Sequence, residues 1–234
     1  MLHDEITLPP APPADQLIRL LDRYAPFQPV PLCPEIRAFT AVSLVGIWEA
    51  AEALAGRALQ APFWAWPWAA GIALARTILD SPDLVRGRTV LDFGAGGGVA
   101  SLACGIAGAD RVVANDIDPW AIAVTRLAAE RQDLSIETMR ADLAHEPERV
   151  LGFDIVLCGD LAYDRSKASA ERNALAGALR AGARVLSADA GRTYFDPGSA
   201  RLIAKYEITV PVDLEGGPTR LTRVYEAIGN DESP

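Results

Sequence analysis

The chain has 234 residues, half of them hydrophobic, enough to bury a real core as one large domain or as one domain with a cap. Its formal charge of −9, with no concentrated basic stretch, argues against an unaided nucleic-acid binder and suits a cationic substrate. No apolar run approaches the ~20 residues of a membrane span, and the opening MLHDEITLPPAPPAD is acidic and proline-rich rather than a basic-then-apolar leader, so the expected address is the cytoplasm.

Pro9, Pro10, Pro12 and Pro13 make residues 1–14 an expected disordered lead-in. ADQLIRLLDRY then sets Leu17, Ile18, Leu20 and Leu21 at helical spacing, with Asp15 available as a cap. PVPLCPEIRAF is broken by prolines, and VSLVGIWEAAEALAG reads as an apolar segment running into a helix that Gly56 ends. Residues 15–60 are therefore expected to form an N-terminal helical cap, with the main domain at 61–228 and a tail at 229–234.

From Ala70 the rhythm changes. Helices are predicted at 71–79, 98–107, 119–131 and 168–181, and strands at 89–93, 111–115, 135–138, 153–159 and 183–188. Strands separated by helices of this length imply a parallel sheet covered on both faces. KYEITVPV and RLTRVYEAI follow, joined by DLEGGPT, which is too short to house a crossover helix. The prediction is an α/β sheet of five parallel strands finished by an antiparallel hairpin, seven strands in all. Cys33, Cys104 and Cys158 lack metal-ligand spacing and read as buried thiols. His3 and His145 assemble neither a triad nor a zinc site.

Chemistry concentrates after the predicted parallel strands. TVLDFGAGGG contains Asp92, Gly94, Gly96 and Gly98 as D-x-G-x-G-x-G between a strand and a helix. Glycines permit a sharp turn and close approach to a ligand, and the helix start offers unpaired N–H groups. The dinucleotide pattern laid on Gly94 and Gly96 needs a small third residue where Val99 stands, and it has no use for the Asp92 carboxylate. S-adenosylmethionine fits better, because a strand-end carboxylate can take up its cationic methionine end. Asp116, 24 residues beyond Asp92, ends the second strand, where an acid can accept both ribose hydroxyls. Asp118, before Pro119, is expected to cap the next helix. Asp142 after the third strand is a candidate acceptor for the adenine amino group, with a solvated turn as the alternative. Asp160 and Tyr163 follow the fourth strand and mark a candidate substrate face, the alternative being a helix cap and a packed ring. In PFWAWPWAAG, Trp68 precedes small residues up to Gly71 and is assigned to the cofactor and methyl path, whereas Trp64 and Trp66 serve equally well to pin the cap.

These residues resemble the seven-β-strand, class I S-adenosylmethionine-dependent methyltransferases with their Rossmann-like sheet. PEIRAF, IWEAAEAL, the tryptophan stretch running into the glycine loop, ANDIDPWAI, GDLAYD and DAGRTYF narrow the likeness. They are similar to bacterial relatives of the electron transfer flavoprotein β-subunit lysine methyltransferase, often labelled predicted nicotinamide N-methyltransferases. The resemblance covers roughly residues 31–228. It implies that Asp92, Gly94 and Gly96 form the cofactor loop, that Asp116 binds ribose, that Trp68 and Gly71 flank the cofactor, and that Asp160 with Tyr163 forms a D-x-x-Y motif associated with lysine substrates. Relatives usually carry an aromatic at Ala162 and a glycine at Ala70. The implied activity is protein-lysine methylation of the electron transfer flavoprotein β-subunit, with ribosomal protein L7/L12 as a further substrate. The alternatives are a small-molecule N-methyltransferase, an inactive cofactor-binding scaffold and a nicotinamide-dependent oxidoreductase.

Overall fold

In the computed structural model, residues 8–160, 165–211 and 216–228 are described, and they build around a seven-stranded sheet. Five parallel strands, β3 (Thr89–Phe93), β4 (Arg111–Asp116), β5 (Glu137–Arg140), β6 (Ile155–Gly159) and β7 (Arg184–Asp189), form most of it. β8 (Ala200–Thr209) and β9 (Thr219–Ala227) complete it as an antiparallel pair, with β9 against β7. The order β5-β4-β3-β6-β7-β9-β8 runs outward from β3 in both directions, so the chain reverses between β3 and β6. The crevice outside the carboxyl ends of strands at such a reversal is where open α/β sheets bind ligands.

The central strands β3, β4 and β6 carry buried apolar runs because helices cover both faces. Successive side chains point to opposite sides of a pleated sheet. Accordingly Val90, Val112 and Leu157 pack in one core and their neighbours Leu91, Val113 and Val156 in the other. The first core takes α3 (Ala69–Asp80), α4 (Val99–Ile106) and α5 (Pro119–Glu130), together with the N-terminal elements α1 (Ala14–Tyr24) and α2 (Leu44–Ala55). Against the second lie Ala174 and Ala178 of α6 (Arg165–Arg180). Gly56 ends α2 in a left-handed conformation, as its sequence predicts.

Three expectations are corrected. The proline-broken stretch is an antiparallel hairpin, β1 (Phe27–Val30) and β2 (Cys33–Phe39), with Leu32 at φ 63° in its turn. Prolines are tolerated because each strand of a two-stranded ribbon has a free edge where a missing N–H costs nothing. The N-terminal segment is thus not purely helical. Asp15 does not cap α1; Pro13 holds the cap position without a side-chain bond, and Asp15 pairs instead with Arg19 at 2.7 Å. β5 begins at Glu137 rather than 135, because Leu134 and Ile136 pack beneath Gly105 instead of entering the sheet.

Candidate active site

The loop after β3 turns through Gly94, Gly96 and Gly98, at φ 73°, 55° and 79°. Gly98 opens α4 from the left-handed region, and a Cβ there would stand 2.5 Å from the Thr125 side chain. At Gly97 a Cβ would lie 2.8 Å from the backbone oxygen of Trp64. The tryptophan segment therefore lies directly on the glycine loop, an approach only glycine permits.

Each tryptophan has its own place. Trp64 is buried and stacks on Trp120 of α5, centroids 5.8 Å apart and planes 18° apart. Trp66 and Trp68 line the cavity over the loop, and Trp64 reaches it as well. Trp68 Nε1 donates to the Phe63 carbonyl at 2.7 Å, and the two rings meet at 59°. Gly71, in the first turn of α3, also lines the cavity with nothing within 4 Å of a would-be Cβ.

Carboxylates ring the same space. Asp92, the residue before the last of β3, is almost fully buried, its Oδ2 accepting from the backbone N–H and hydroxyl of Ser101 at 3.0 and 2.6 Å. Burial pushes its pKa up to about 6 against those stabilising bonds. Asp116 accepts the Gly96 amide on Oδ2 and the Asp118 amide on Oδ1, both at 2.9 Å. Asp118 caps α5 through Trp120 N at 2.8 Å, and burial raises it too to about 6. Asp142 accepts from Ala144 N at 3.2 Å and pairs with His145 Nδ1 at 2.9 Å.

Asp160 closes the far side. It stands at φ 54°, a left-handed conformation that aspartate tolerates better than most residues. Its Oδ2 accepts Ala70 N, at the start of α3, at 3.3 Å, and its Oδ1 accepts Arg192 Nε at 3.0 Å. Tyr163 lies outside the described residues.

Sequence reasoning missed Arg192 and Glu171, which also line the cavity. DAGRTYF was visible as a motif, and its place after β7 beside β6 is the signal that carries Arg192 to Asp160. Glu171 carries no such signal, being one charged residue among several on α6.

The cavity holds about 390 Å³, within the range of small-molecule sites. Its lining includes six carboxylates against one arginine and one histidine among the described residues. A raised carboxylate pKa marks a site where added positive charge is favourable. The residues thus fit S-adenosylmethionine: the glycine cradle leaves room for close approach, Asp92 and Asp116 face it, and the field suits a sulfonium. No group of side chains suited to a metal ion occurs among the described residues.

The family model described as Ribosomal protein L11 methyltransferase matches residues 74–164, from α3 through the glycine loop to just past β6. The electron transfer flavoprotein beta subunit lysine methyltransferase of Rattus norvegicus is 32% identical over 171 residues, 70% of this chain and 66% of the relative. The chain belongs to the class I methyltransferases. The same lysine methyltransferase from Danio rerio is 37% identical to this class I methyltransferase over 143 residues, 60% of the chain and 54% of the relative. The chain thus spans between about half and two thirds of the length of these curated relatives. In fold, the methyltransferase is similar to a solved protein of Thermoplasma acidophilum, with TM-score 0.51 and 20% identity, covering 69% of this chain and 88% of that one.

Proposed function

We propose that the chain transfers a methyl group from S-adenosylmethionine to a lysine side chain of a protein, the electron transfer flavoprotein β-subunit. One observation carries the reading: the glycine loop and Asp160 open into one cavity, so an amine held at Asp160 and a cofactor held over the loop share a single space. The names of the curated relatives support lysine as the acceptor and that β-subunit as its bearer. The name of the matching family model supports a ribosomal protein as a second acceptor to test.

When bound, S-adenosylmethionine supplies a methyl group already activated on a sulfonium. The protein's part is binding, alignment and exclusion of water. Asp116 would accept the ribose hydroxyls, and Asp142 would take the adenine amino group. Asp92 would balance the cationic methionine end. Trp66, Trp68 and Phe63 wall the acceptor path, their ring faces favourable to a methylammonium. Asp160, fixed from two sides, accepts a hydrogen from the incoming amine and orients its lone pair. The lysine must arrive neutral, and at neutral pH its ordinary pKa near 10.4 makes that cost roughly 4 to 5 kcal/mol. Held so by Asp160, the neutral amine would accept the methyl group that the cofactor supplies and carry its positive charge away as a methylammonium, the cofactor leaving as a neutral thioether.

Purified protein with labelled cofactor and purified β-subunit tests the reading, alongside mass spectrometry of lysine methylation in strains with and without the gene. Label on a specific lysine, lost with the gene, is expected. Turnover of a small amine with no protein labelled would replace the proposed acceptor with a small molecule.

A further inference from the structure

We infer that Arg192 is a positioning residue that offsets the negative charge of the acceptor subsite, so that a lysine is held there as the amine rather than trapped as the ammonium; this rests on the lysine-transfer reading above. Arg192 Nε donates to Asp160 Oδ1 at 3.0 Å, across the gap between the ends of β7 and β6. The turn that delivers it is itself clamped. Asp189, the last residue of β7, accepts Gly191 N at 2.6 Å and Arg192 N at 3.0 and 3.2 Å. Asp160 is thus held at one oxygen by Arg192 and at the other by Ala70 N. The pair is largely shielded, with side-chain exposure of 11% for Asp160 and 27% for Arg192.

Among the described residues, charges face this point from several neighbouring elements. β6 contributes Asp160 and α6 the buried Glu171; β7 contributes Asp189 and β3 the buried Asp92. Asp116 ends β4 and Asp118 follows it, and His145 pairs with Asp142 in the loop beyond β5. No other arginine or lysine among the described residues lines this cavity. Nearby carboxylates favour the charged form of an entering amine by about 1 to 3 pKa units, and a nearby cation opposes that shift. A site built from these acids alone would bind ammonium firmly and hold the cationic product. Arg192 is placed to counter both effects while keeping the Asp160 oxygens aimed.

The test uses the full chain loaded with S-adenosylhomocysteine and titrated with Nα-acetyl-lysine methylamide at pH 7, in the wild type, Arg192→Gln and Arg192→Lys. We expect Arg192→Gln to bind this ammonium probe about tenfold more tightly, the change one pKa unit of charge balance represents, and Arg192→Lys to stay near the wild type. S-adenosylhomocysteine affinity should hold within about threefold in all three, since Arg192 acts on the acceptor side. Asp160→Asn in the wild-type background should weaken the probe. Equal probe affinity in wild type and Arg192→Gln overturns the inference, as does an absence of probe binding in both or an unchanged affinity in Asp160→Asn. In transfer assays on the β-subunit, the pH midpoint of kcat should move up by about one unit in Arg192→Gln and return in Arg192→Lys. A fallen kcat with an unmoved midpoint means that Arg192 only braces the turn, and also overturns it. Failure of the wild type to methylate that protein counts against the proposed acceptor and leaves the probe titration to decide the role of Arg192.

Discussion

Asp116 accepts the Gly96 amide on one oxygen and the Asp118 amide on the other, each at 2.9 Å. The carboxylate assigned to ribose therefore also ties the glycine loop to the start of α5. Asp116→Ala removes both functions, and its affinity for S-adenosylhomocysteine should fall by about 100-fold or more, two strong hydrogen bonds' worth. Asp116→Asn keeps one acceptor but presents an NH2 to the other amide, so it should lie between. Calorimetric titration decides it, and an Asp116→Ala affinity within threefold of wild type would remove the ribose assignment.

The glycines divide by what surrounds them. Gly97→Ala drives a methyl against the Trp64 carbonyl, and overpacking against backbone should cost about 1–3 kcal/mol. Gly98→Ala combines a left-handed φ with a clash on Thr125, whose hydroxyl is held by the Gly96 carbonyl at 3.0 Å and cannot turn freely; the loss should be at least as large. Gly71→Ala meets nothing and lies in α3, so it should stabilise by up to about 1 kcal/mol through helix propensity. Its methyl enters the cavity, however, and should weaken S-adenosylhomocysteine. Urea unfolding beside calorimetry separates the cases, and a stabilised Gly97→Ala would mean that the tryptophan segment does not press on the loop.

The sequence made most of this site readable, because its residues sit at strand ends and strand ends follow from local patterns. β3 lies where TVLDF places it, and Asp92 one residue from the end of β3, Asp116 at the end of β4 and Asp160 just after β6 all come to the carboxyl edge. Pairings made across the sheet were not readable. Arg192 meets Asp160 across 32 residues only because β7 lies beside β6, and Trp64 finds Trp120 only because α5 packs under the tryptophan segment. The β1/β2 hairpin escaped for the opposite reason: its prolines gave a strong local signal that ribbon pairing overrode.

Asp92 and Asp118 give the protein a pH signature. Burial lifts both to about 6, the Asp116 charge adds to each, and bonds from Ser101 and Trp120 only partly offset it. In the unfolded chain each returns to near 3.9, so between about pH 4 and 6 the folded state binds more protons. Unfolding free energy should therefore fall as pH rises through that window and level off above about 7. Cofactor binding should run the other way, because a sulfonium favours the ionised carboxylates. S-adenosylmethionine affinity is expected to rise about tenfold from pH 5 to 7, with a shallower rise for the uncharged thioether. Calorimetry across pH checks it; parallel curves for the two ligands would mean that these carboxylates do not sense the sulfonium.

Trp64 and Trp68 lie four residues apart in one segment and are expected to fail differently. Trp64 is 3% exposed, stacked on Trp120, with its carbonyl against Gly97, and Trp64→Ala should cost about 3–5 kcal/mol. Trp68 is only partly buried and makes its Nε1 bond at the cavity rim. Trp68→Phe, which keeps a ring and loses that bond, should cost about 0.5–1.5 kcal/mol. Trp68→Ala removes the wall, and we expect S-adenosylhomocysteine affinity to drop by about tenfold, the loss of roughly 1.4 kcal/mol of contact, with the fold still intact. Unfolding and binding measured on the same samples distinguish the roles. If Trp68→Ala destabilises as much as Trp64→Ala while sparing the ligand, Trp68 is core and the methyl path runs elsewhere.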